Sequence, residues 1–509
     1  MKNETNNSIG RIVIAALSVL IQIIWIVTQV WKLNAYYIYI SWIIQIIAVL
    51  LVLRIYTKSE YSTIKTPWMI LLLVIPLVGV CIYLLFGKPG IHGTIKKRFY
   101  RAWNTVKDTL HQDKQVLFDL KELSPTIGNQ TGYTWRYGGY PVYYNTDVTF
   151  YSEASEAIEA QKEELRKAKH FIFMEYHAIE DSVSFHAIEE ILIEKVKEGV
   201  EVRLFYDDVG SVGFLSKPFV KRMLAQGIQC RVFNPILPVL NVFMNNRDHR
   251  KITVIDGKVG FTGGYNLADE YFNIIHPYGY WKDTGIKLVG DAVRSLTAIF
   301  LENWNSMKNV KQDIAAYFPT VEYVAQDPAY VQPYSNSPLK KEHLAENIYL
   351  NMIKSATKYL YITTPYLILD EVMSAELGLA AKRGVDVRIV TPGIPDKKLV
   401  FKMTRSYYAG LVKEGVRIYE YTPGFMHSKQ FLCDNESAIV GTINLDYRSM
   451  YLNFENATYI YGGSAIQAIK EDFEQLFPVC EEVTRQYGQP KYAKIPLTQC
   501  LLRLFAPLV

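Results

Sequence analysis

Two eight-residue stretches of the chain share one spacing of chemically active side chains. Residues 249–256 read HRKITVID and residues 427–434 read HSKQFLCD. The pattern His-x-Lys-x4-Asp therefore occurs twice, 178 positions apart, in a chain of 509 residues with nine histidines. One chance match at a given histidine is already rare, and a second match is far rarer. We interpret the two stretches as equivalent parts of a duplicated unit.

The sequence before each stretch repeats as well. A helical pattern followed by a β-branched run leads to KEGVEVRLF at 197–205 in the first unit and to KRGVDVRIV at 382–390 in the second. Helices that alternate with such runs predict layered α/β structure. We therefore predict an α/β fold of two halves related by a pseudo-twofold axis, at 136–325 and 326–490. Each half should hold a mixed, largely parallel sheet flanked by helices.

Within each stretch, the spacing indicates which side chains act together. Residues two apart on a strand project from one face, so each histidine should point with its lysine. Each aspartate falls in a turn-forming pair, Asp256-Gly257 or Asp434-Asn435, and should fix a hairpin. The candidate catalytic set is His249, Lys251, Asp256, His427, Lys429 and Asp434.

A glycine and an asparagine follow each histidine at matching distances of 14 and 17 residues. Glycine lets the backbone approach a ligand closely, and an asparagine amide can donate to a phosphate oxygen. We therefore predict an anion-binding turn in each half. Its candidate substrate-binding residues are Gly263, Asn266, Gly441 and Asn444.

The N-terminal region carries three apolar runs without charges, at 12–30, 33–53 and 67–86. Each run has about the length that a helix needs to cross a bilayer. The sequence therefore predicts a three-helix membrane anchor over 1–87, followed by a basic linker at 88–135. The linker's segment 88–107 holds six Lys or Arg and no acid, as cytoplasmic and lipid-facing segments do. The apolar tail at 491–509 is expected to form an interfacial helix.

Composition limits which partners and metal sites the protein can be expected to have. Half of the residues are hydrophobic and the net charge is +5, which suits an anionic partner. Five scattered cysteines form no CxxC pair, so neither a disulfide framework nor a zinc site is indicated. Asp207-Asp208 ends a strand before Gly210, where turn chemistry is the favoured role over metal binding. The seven histidines outside the two stretches, His177 among them, show no partner pattern and receive no catalytic role.

The twin motif with its glycines and asparagines resembles the phospholipase D superfamily. The surrounding phrases, among them YWKDTGIKL, YITTPY, VGTINLDYRSMYLNFE and the tail CLLRLFAPLV, are similar to those of bacterial cardiolipin synthases. The resemblance covers nearly everything from about residue 35. Two features depart from it: QPYSNSP at 332–338 lacks the usual Ser-Gly-Pro, and the first apolar run is additional.

The resemblance implies one active site built from both halves. Two phosphatidylglycerol molecules would give cardiolipin and glycerol through a phosphatidyl-histidine, with no cofactor and no metal. Asp283 and Glu455 match acidic positions that orient the histidines. The apolar runs predict a multi-pass enzyme of the bacterial cell membrane, in contact with anionic lipids and not with nucleic acid. The basic segment 88–107 and the unpaired cysteines favour a cytoplasmic catalytic domain. The oligomeric state stays open.

The resemblance leaves the nucleophile undecided between the two histidines. We predict His249, because Gly263-Gly264 leaves more backbone space for a bulky adduct than Gly441-Thr442 does, and because superfamily members use the N-terminal motif. Rival functions are a hydrolytic phospholipase D, another phosphatidyltransferase, a nuclease and a membrane scaffold with a relic site. Three membrane helices argue against the nuclease, and two complete motifs argue against the scaffold.

Overall fold

The computed structural model of the chain describes residues 20–21, 24–25, 27–28, 38–58, 62–86, 93–215, 218–235, 245–307, 313–492 and 494–506. Most of the first predicted membrane helix lies outside these residues. The apolar stretch at 234–244, for which the sequence leaves both membrane contact and core packing open, also lies almost entirely outside these residues.

Over residues 38–86, as far as the structure describes them, the N-terminal part forms the helices α1 (Ile38–Tyr56), α2 (Ser62–Val74) and α3 (Pro76–Phe86). The single helix predicted at 67–86 is therefore wrong, because α2 ends and α3 begins around Ile75. Pro76 lacks an N–H donor and disfavours helical geometry in the residue before it, which accounts for the break. Among the described residues, no helix has both the length and the apolar character that crossing a membrane requires.

The segment predicted as a linker, 88–135, is largely helical over the residues 93–135 that the structure describes. It contains α4 (Gly93–Lys107), α5 (Lys114–Leu123) and α6 (Pro125–Tyr133). Phe99, Ala102 and Val106 recur on one face of α4 and are buried in the protein core. The Phe99 ring stacks on Phe454 with centroids 4.9 Å apart. Helix α4 is therefore amphipathic: it carries basic residues and also a buried apolar face, and it is part of the folded domain.

The first half is built on a seven-stranded sheet with the order β1–β8–β6–β5–β2–β3–β4. Its helices are α7 (Ala154–Arg166), α8 (Val183–Lys197), α9 (Phe219–Ala225) and α10 (Val293–Met307). Its strands, including β7, which lies outside this sheet, are β1 (Thr146–Tyr151), β2 (Phe171–Tyr176), β3 (Glu201–Asp207), β4 (Gln229–Phe233), β5 (Lys251–Ile255), β6 (Val259–Gly263), β7 (Tyr280–Lys282) and β8 (Gly285–Gly290).

The second half repeats this order as β9–β16–β15–β14–β10–β11–β12 and adds β17 at the edge. Its strands are β9 (Tyr330–Asn336), β10 (Tyr359–Thr363), β11 (Asp386–Pro392), β12 (Arg417–Tyr421), β13 (Gly424–Met426), β14 (Gln430–Cys433), β15 (Ser437–Gly441), β16 (Glu455–Tyr461) and β17 (Cys480–Glu482). The helices that follow along the chain are α11 (Leu344–Ser355), α12 (Glu371–Lys382), α13 (Lys398–Lys413), α14 (Ser464–Leu476), α15 (Thr484–Tyr487) and α16 (Leu497–Phe505). The matching strand order confirms the predicted pair of α/β halves.

The sheets are mixed, but the prediction that they are largely parallel is wrong. Within the two large sheets that the structure describes, the parallel pairs are those joined by helical crossovers, namely β2–β3–β4 and β10–β11–β12. The motif strands β5 and β14 run antiparallel to their neighbours on both sides. The turns at Asp256-Gly257 and Asp434-Asn435 reverse the chain directly, which forces antiparallel pairing.

The two halves share one core and one small sheet. Helix α10 is buried over most of its length, and Phe300 on it stacks on Phe173 of β2 with centroids 4.6 Å apart. Strand β7 of the first half pairs in parallel with β13 of the second half. The C-terminal tail forms α16, where the Arg503 guanidinium lies 3.9 Å from the Tyr407 ring centre while Leu497 and Leu501 are exposed.

Candidate active site

Both motif histidines lie at the interface between the halves, just before the motif strands. Lys251 is the first residue of β5, and Lys429 directly precedes β14. The backbone N–H of His249 donates to the carbonyl of Phe454, and that of His427 donates to the carbonyl of Lys282, each at 2.8 Å. Each acceptor belongs to the opposite half. The two contacts repeat one arrangement across the pseudo-twofold axis, so the interface itself positions both rings.

Each histidine ring is paired with a carboxylate of the opposite half. His249 Nδ1 lies 2.9 Å from Glu455 Oε2, and His427 Nδ1 lies 2.5 Å from Asp283 Oδ2. Both carboxylates are fully buried. A carboxylate at Nδ1 selects the tautomer that carries its proton there and leaves Nε2 for chemistry. The sequence suggested both acids as orienting groups, but not that the pairs cross between halves.

The two motif lysines are buried beside the histidines. Lys251 Nζ donates to the His249 carbonyl at 2.8 Å, and Lys429 Nζ donates to the His427 carbonyl. Burial lowers the pKa of Lys251 to about 8 and that of Lys429 to about 7. The site thus concentrates positive charge away from water, which favours a phosphate group as ligand.

Burial and the lysine charges also lower the pKa of both histidines. The pKa of His249 falls well below its usual value, with Lys251 and Lys429 adding to the effect of burial. The pKa of His427 falls to about 3, although Asp283 opposes the change. The charge of each lysine therefore acts on the histidine of the opposite half as well as on its own, and the four side chains form one electrostatic unit.

The two orienting carboxylates differ in ionisation. Burial raises the pKa of Asp283, but the charges of His427 and Lys429 outweigh it and hold that pKa below the usual value. Burial raises the pKa of Glu455 to about 7, with Lys251 opposing only in part. Near neutral pH, Asp283 is ionised and Glu455 is about half protonated. The symmetric backbone thus carries two unlike acid–histidine pairs.

The residues that follow the motif glycines meet the two carboxylates in different ways. A Cβ at Gly264 would lie 2.0 Å from Asp283 Oδ1, so the missing side chain makes room for that carboxylate. The equivalent Thr442 instead donates its hydroxyl proton to Glu455 Oε2. The prediction that Gly263-Gly264 leaves space for an adduct on His249 is wrong, because Asp283, the partner of His427, fills that space.

The predicted substrate-binding glycines are required by strand packing. A Cβ at Gly263 would lie 2.4 Å from the carbonyl oxygen of Thr284, and one at Gly441 would lie 2.5 Å from Ala457. No ligand is needed to explain either glycine, so their part in binding stays a prediction.

The two asparagines have different surroundings. Asn266 accepts from the backbone N–H of Ala178 and donates to the Tyr271 hydroxyl at 2.7 Å. Asn444 Oδ1 has no hydrogen-bond partner among the described residues. Phosphate binding by these two amides stays a prediction.

The motif aspartates lie away from the histidines. Asp256 accepts from the backbone N–H groups of residues 169–171 at 2.7 to 2.9 Å, and Asp434 accepts from those of residues 357–359 over the same distances. Each sits at the far end of its motif strand, roughly 20 Å along the chain from the histidine. Including Asp256 and Asp434 in the catalytic set is therefore wrong. They tie the hairpin to the start of the neighbouring strand, close to the turn role that their positions predict.

Comparison with known proteins fits this geometry. A family model described as "Cardiolipin synthase, PLD-like domain" matches residues 162–283 and 349–477, and one described as "Phospholipase_D-nuclease N-terminal" matches residues 43–88. The cardiolipin synthase of Halalkalibacterium halodurans is 34% identical over 93% of this chain and 93% of its own. This chain belongs to the cardiolipin synthase family. Cardiolipin synthase 2 of Bacillus anthracis is 33% identical over 89% of this chain and 88% of its own.

Two further proteins that are not named as cardiolipin synthases are also similar to this chain. An uncharacterised protein of Streptococcus mutans is 42% identical over 89% of this chain and 98% of its own. Among solved structures, phosphatidylserine synthase of Haemophilus influenzae aligns with a TM-score of 0.55, at 15% identity, over 74% of this chain and 97% of its own. That likeness shows a shared fold.

Sequence reasoning missed several residues of this cardiolipin synthase family site. The His177 ring lies 4.9 Å from the His249 ring, and its Nδ1 is 2.6 Å from the Asp248 carbonyl oxygen. His177 directly follows β2, the neighbour of the motif strand, which is the one signal that predicts its position. Tyr271, Trp281 and Phe425 surround the His427 ring with centroids 5.1 to 5.7 Å away, so that histidine sits in an aromatic pocket.

Among the residues that the structure describes, one group of side chains that could hold a metal ion lies away from the histidines, at Asp181, His186 and Glu189. Arg222 donates to the carboxylates of Asp181 and Glu189 at 2.6 to 3.1 Å. The guanidinium already forms ion pairs with both acids, which fits an ion-pair network. Asp207 plays the predicted structural role, since it accepts from the backbone N–H groups of Val209 and Gly210.

Proposed function

We propose that this protein transfers a phosphatidyl group from one phosphatidylglycerol to another and so forms cardiolipin and glycerol. The observation that carries the proposal is the pair of buried histidines, each held by a carboxylate of the opposite half beside a buried lysine. Transfer through a covalent intermediate needs a nucleophile on one side of phosphorus and a proton donor on the other. The crossed arrangement supplies one imidazole for each task, and family membership supports the lipid substrate.

In the first step, His249 Nε2 attacks the phosphorus of the first lipid. The bond from phosphorus to the glycerol oxygen breaks, and His427 gives its Nε2 proton to that oxygen. Glycerol leaves, and the phosphatidyl group stays on His249. Lys251 and Lys429 stabilise the charge on the non-bridging oxygens as the transition state forms.

In the second step, the neutral His427 takes a proton from a glycerol hydroxyl of the second phosphatidylglycerol. The oxygen attacks phosphorus, the phosphorus–nitrogen bond breaks, and cardiolipin is released. His427 again carries its proton and His249 is free. The aromatic rings around His427 limit access of water, which favours a lipid alcohol as acceptor over hydrolysis.

The unlike acids support His249 as the nucleophile. An ionised Asp283 stabilises an imidazolium at His427, as a proton donor requires. A half-protonated Glu455 leaves His249 neutral, as a nucleophile requires. Burial and the lysine charges lower the pKa of His427, and the phosphate of a bound lipid offsets the lysine charges. Asp283 fills the space beside Gly264, so it is the difference between the two acids, and not backbone space, that supports His249 as the nucleophile.

We further propose that the N-terminal region attaches the protein to the bacterial membrane, as a multi-pass anchor with the catalytic halves on the cytoplasmic side. Helix α1 exposes a run of large apolar side chains, including Trp42, Ile46, Leu50 and Leu53, each more than half exposed. A protein surface of this kind is costly in water and stable in lipid. The basic face of α4 would then meet anionic headgroups.

The function is tested with purified full-length protein and phosphatidylglycerol as the only lipid. Cardiolipin, glycerol and phosphatidic acid are measured over time. We expect one glycerol for each cardiolipin and no build-up of phosphatidic acid. Phosphatidic acid formed in step with glycerol, without cardiolipin, would show a hydrolase instead. A His427→Ala variant that elutes as a folded protein serves as the inactive control.

A further inference from the structure

A second concave surface lies outside the catalytic site. It is enclosed by α4, by the turn that follows α6 and by the loop at 340–342, and it has a volume of about 950 Å³. None of the candidate catalytic residues lines it. Its walls combine the aromatic rings of Trp103, Trp135 and Tyr137 with several basic side chains. We call this the α4 pocket.

The most unusual group in the α4 pocket is Lys340. Its ammonium lies 3.6 Å from the centre of the Trp103 ring and 5.0 Å from that of Tyr140. Its hydrogen bond goes to the Tyr140 hydroxyl at 3.4 Å, which is long and uncharged. No carboxylate of the described residues lies within ion-pair distance of Lys340, and nearby Glu302 is paired with Arg250 at 3.7 Å. Burial accordingly lowers the pKa of Lys340.

The remaining charges of the pocket also favour an anion. Lys107, Arg136 and Lys341 line it with Lys340, against the acids Asp108 and Glu342. Glu342 already accepts hydrogen bonds from the Tyr133 hydroxyl and from Asn347. The lining therefore carries net positive charge around a half-buried cation that has only aromatic contacts and one neutral hydroxyl. An anion that reached Lys340 would supply the missing counter-charge.

We propose that the α4 pocket binds an anionic phosphate ester of the kind that a phospholipid headgroup carries. Lys340 contacts the phosphate, and Trp103 and Trp135 pack against the glycerol and the first acyl carbons. A lipid source fits the position of the pocket, because α4 begins at Gly93, shortly after the apolar helix that ends at Phe86. The exposed lysines 96 and 97 on α4 add to the attraction of an anionic surface.

The test measures protection of a cysteine placed in the pocket. Tyr137 is 62% exposed, so Tyr137→Cys should fold and react with a thiol reagent, and mass spectrometry of its peptide separates it from the native cysteines. Full-length protein is compared in nanodiscs of phosphatidylglycerol, in nanodiscs of phosphatidylcholine, and in detergent with added glycerol 3-phosphate. A His427→Ala background prevents turnover, so the result does not depend on the proposed reaction.

We expect phosphatidylglycerol to slow labelling of residue 137 at least fivefold relative to phosphatidylcholine. Lys340→Met should abolish this protection, Lys340→Arg should restore it, and Lys197→Met, which removes an exposed lysine on α8, should leave it unchanged. Protection by glycerol 3-phosphate in detergent would identify a soluble ester as a ligand of the same site. Equal labelling in both nanodiscs and no protection by the soluble ester, or protection that survives Lys340→Met, would overturn the proposal.

Discussion

Replacing the two orienting acids one at a time tests whether the two histidines have different roles. Asp283→Asn keeps the size of the side chain and removes the charge that lies 2.5 Å from His427 Nδ1. Breaking a buried charged pair costs about 3 to 5 kcal/mol. Since about 1.4 kcal/mol corresponds to a tenfold change in rate, kcat should fall roughly 100- to 4000-fold with little change in KM.

Glu455→Gln should cost less, roughly tenfold in kcat. The pKa of Glu455 is about 7, so at neutral pH the side chain is already about half neutral, and glutamine still accepts a hydrogen bond from His249. Gly264→Ala should resemble Asp283→Asn, since the new methyl group would displace the Asp283 carboxylate without removing it.

The assay separates the two steps with a synthetic lipid whose leaving group is p-nitrophenol. This group departs as a stable anion and needs no proton donor. Release of p-nitrophenol in a single turnover should survive Asp283→Asn and His427→Ala, and His249→Ala should abolish it. Alkaline quenching preserves the phosphorus–nitrogen bond and should leave label on the peptide that contains residue 249. Release that survives His249→Ala but fails in His427→Ala would refute the assignment.

Four further outcomes are expected. Activity should survive EDTA, because Lys251 and Lys429 already neutralise the phosphate; loss in EDTA that one divalent ion restores would contradict this. Asp434→Ala removes the acceptor of three backbone N–H groups and should lower the free energy of unfolding by about 2 to 4 kcal/mol in chemical denaturation, while leaving the kcat of the folded fraction nearly unchanged. Glu455→Gln should raise the thermal midpoint at pH 8 and not at pH 4. Burial raises the folded-state pKa of this acid from 4.5 to about 7, so wild-type stability falls as pH rises between those values, by at most about 3.5 kcal/mol at about 1.4 kcal/mol per pH unit. The exposed Cys500 should escape a membrane-impermeant thiol reagent in intact cells and react after lysis, whereas labelling of intact cells would place the catalytic halves outside.

The sequence predicted the fold through its internal repeat. Spacing inside each motif is a local signal, and it correctly indicated two equivalent α/β halves and the histidines that the structure brings to one interface. It did not predict that the sheets are mainly antiparallel, although the turn residues after Asp256 and Asp434 carried that information. The basic residues of α4 likewise led to the prediction of a linker and gave no indication of the buried face formed by Phe99 and Val106.

The pairing of acids with histidines was beyond sequence reasoning for a physical reason. His249 and Glu455 are 206 residues apart, and His427 and Asp283 are 144 apart. No periodicity relates such positions, because the contact depends on how two folded halves dock. The sequence shows that Gly264 and Thr442 occupy equivalent positions in the two halves. The reason for the difference is apparent only from the position of Asp283 in the structure.

The crossed pairing has a consequence for how such an enzyme can be built. A protein with one motif could form the same centre only as a dimer, in which each copy lends its acid to the histidine of the other. Identical copies would give identical histidines, and neither would be set apart as nucleophile or proton donor before substrate arrives. Joining the copies into one polypeptide removes that constraint, so Asp283 with Gly264 and Glu455 with Thr442 can serve opposite halves differently. The covalent link lets one symmetric scaffold hold two unequal bases without any dependence on protein concentration.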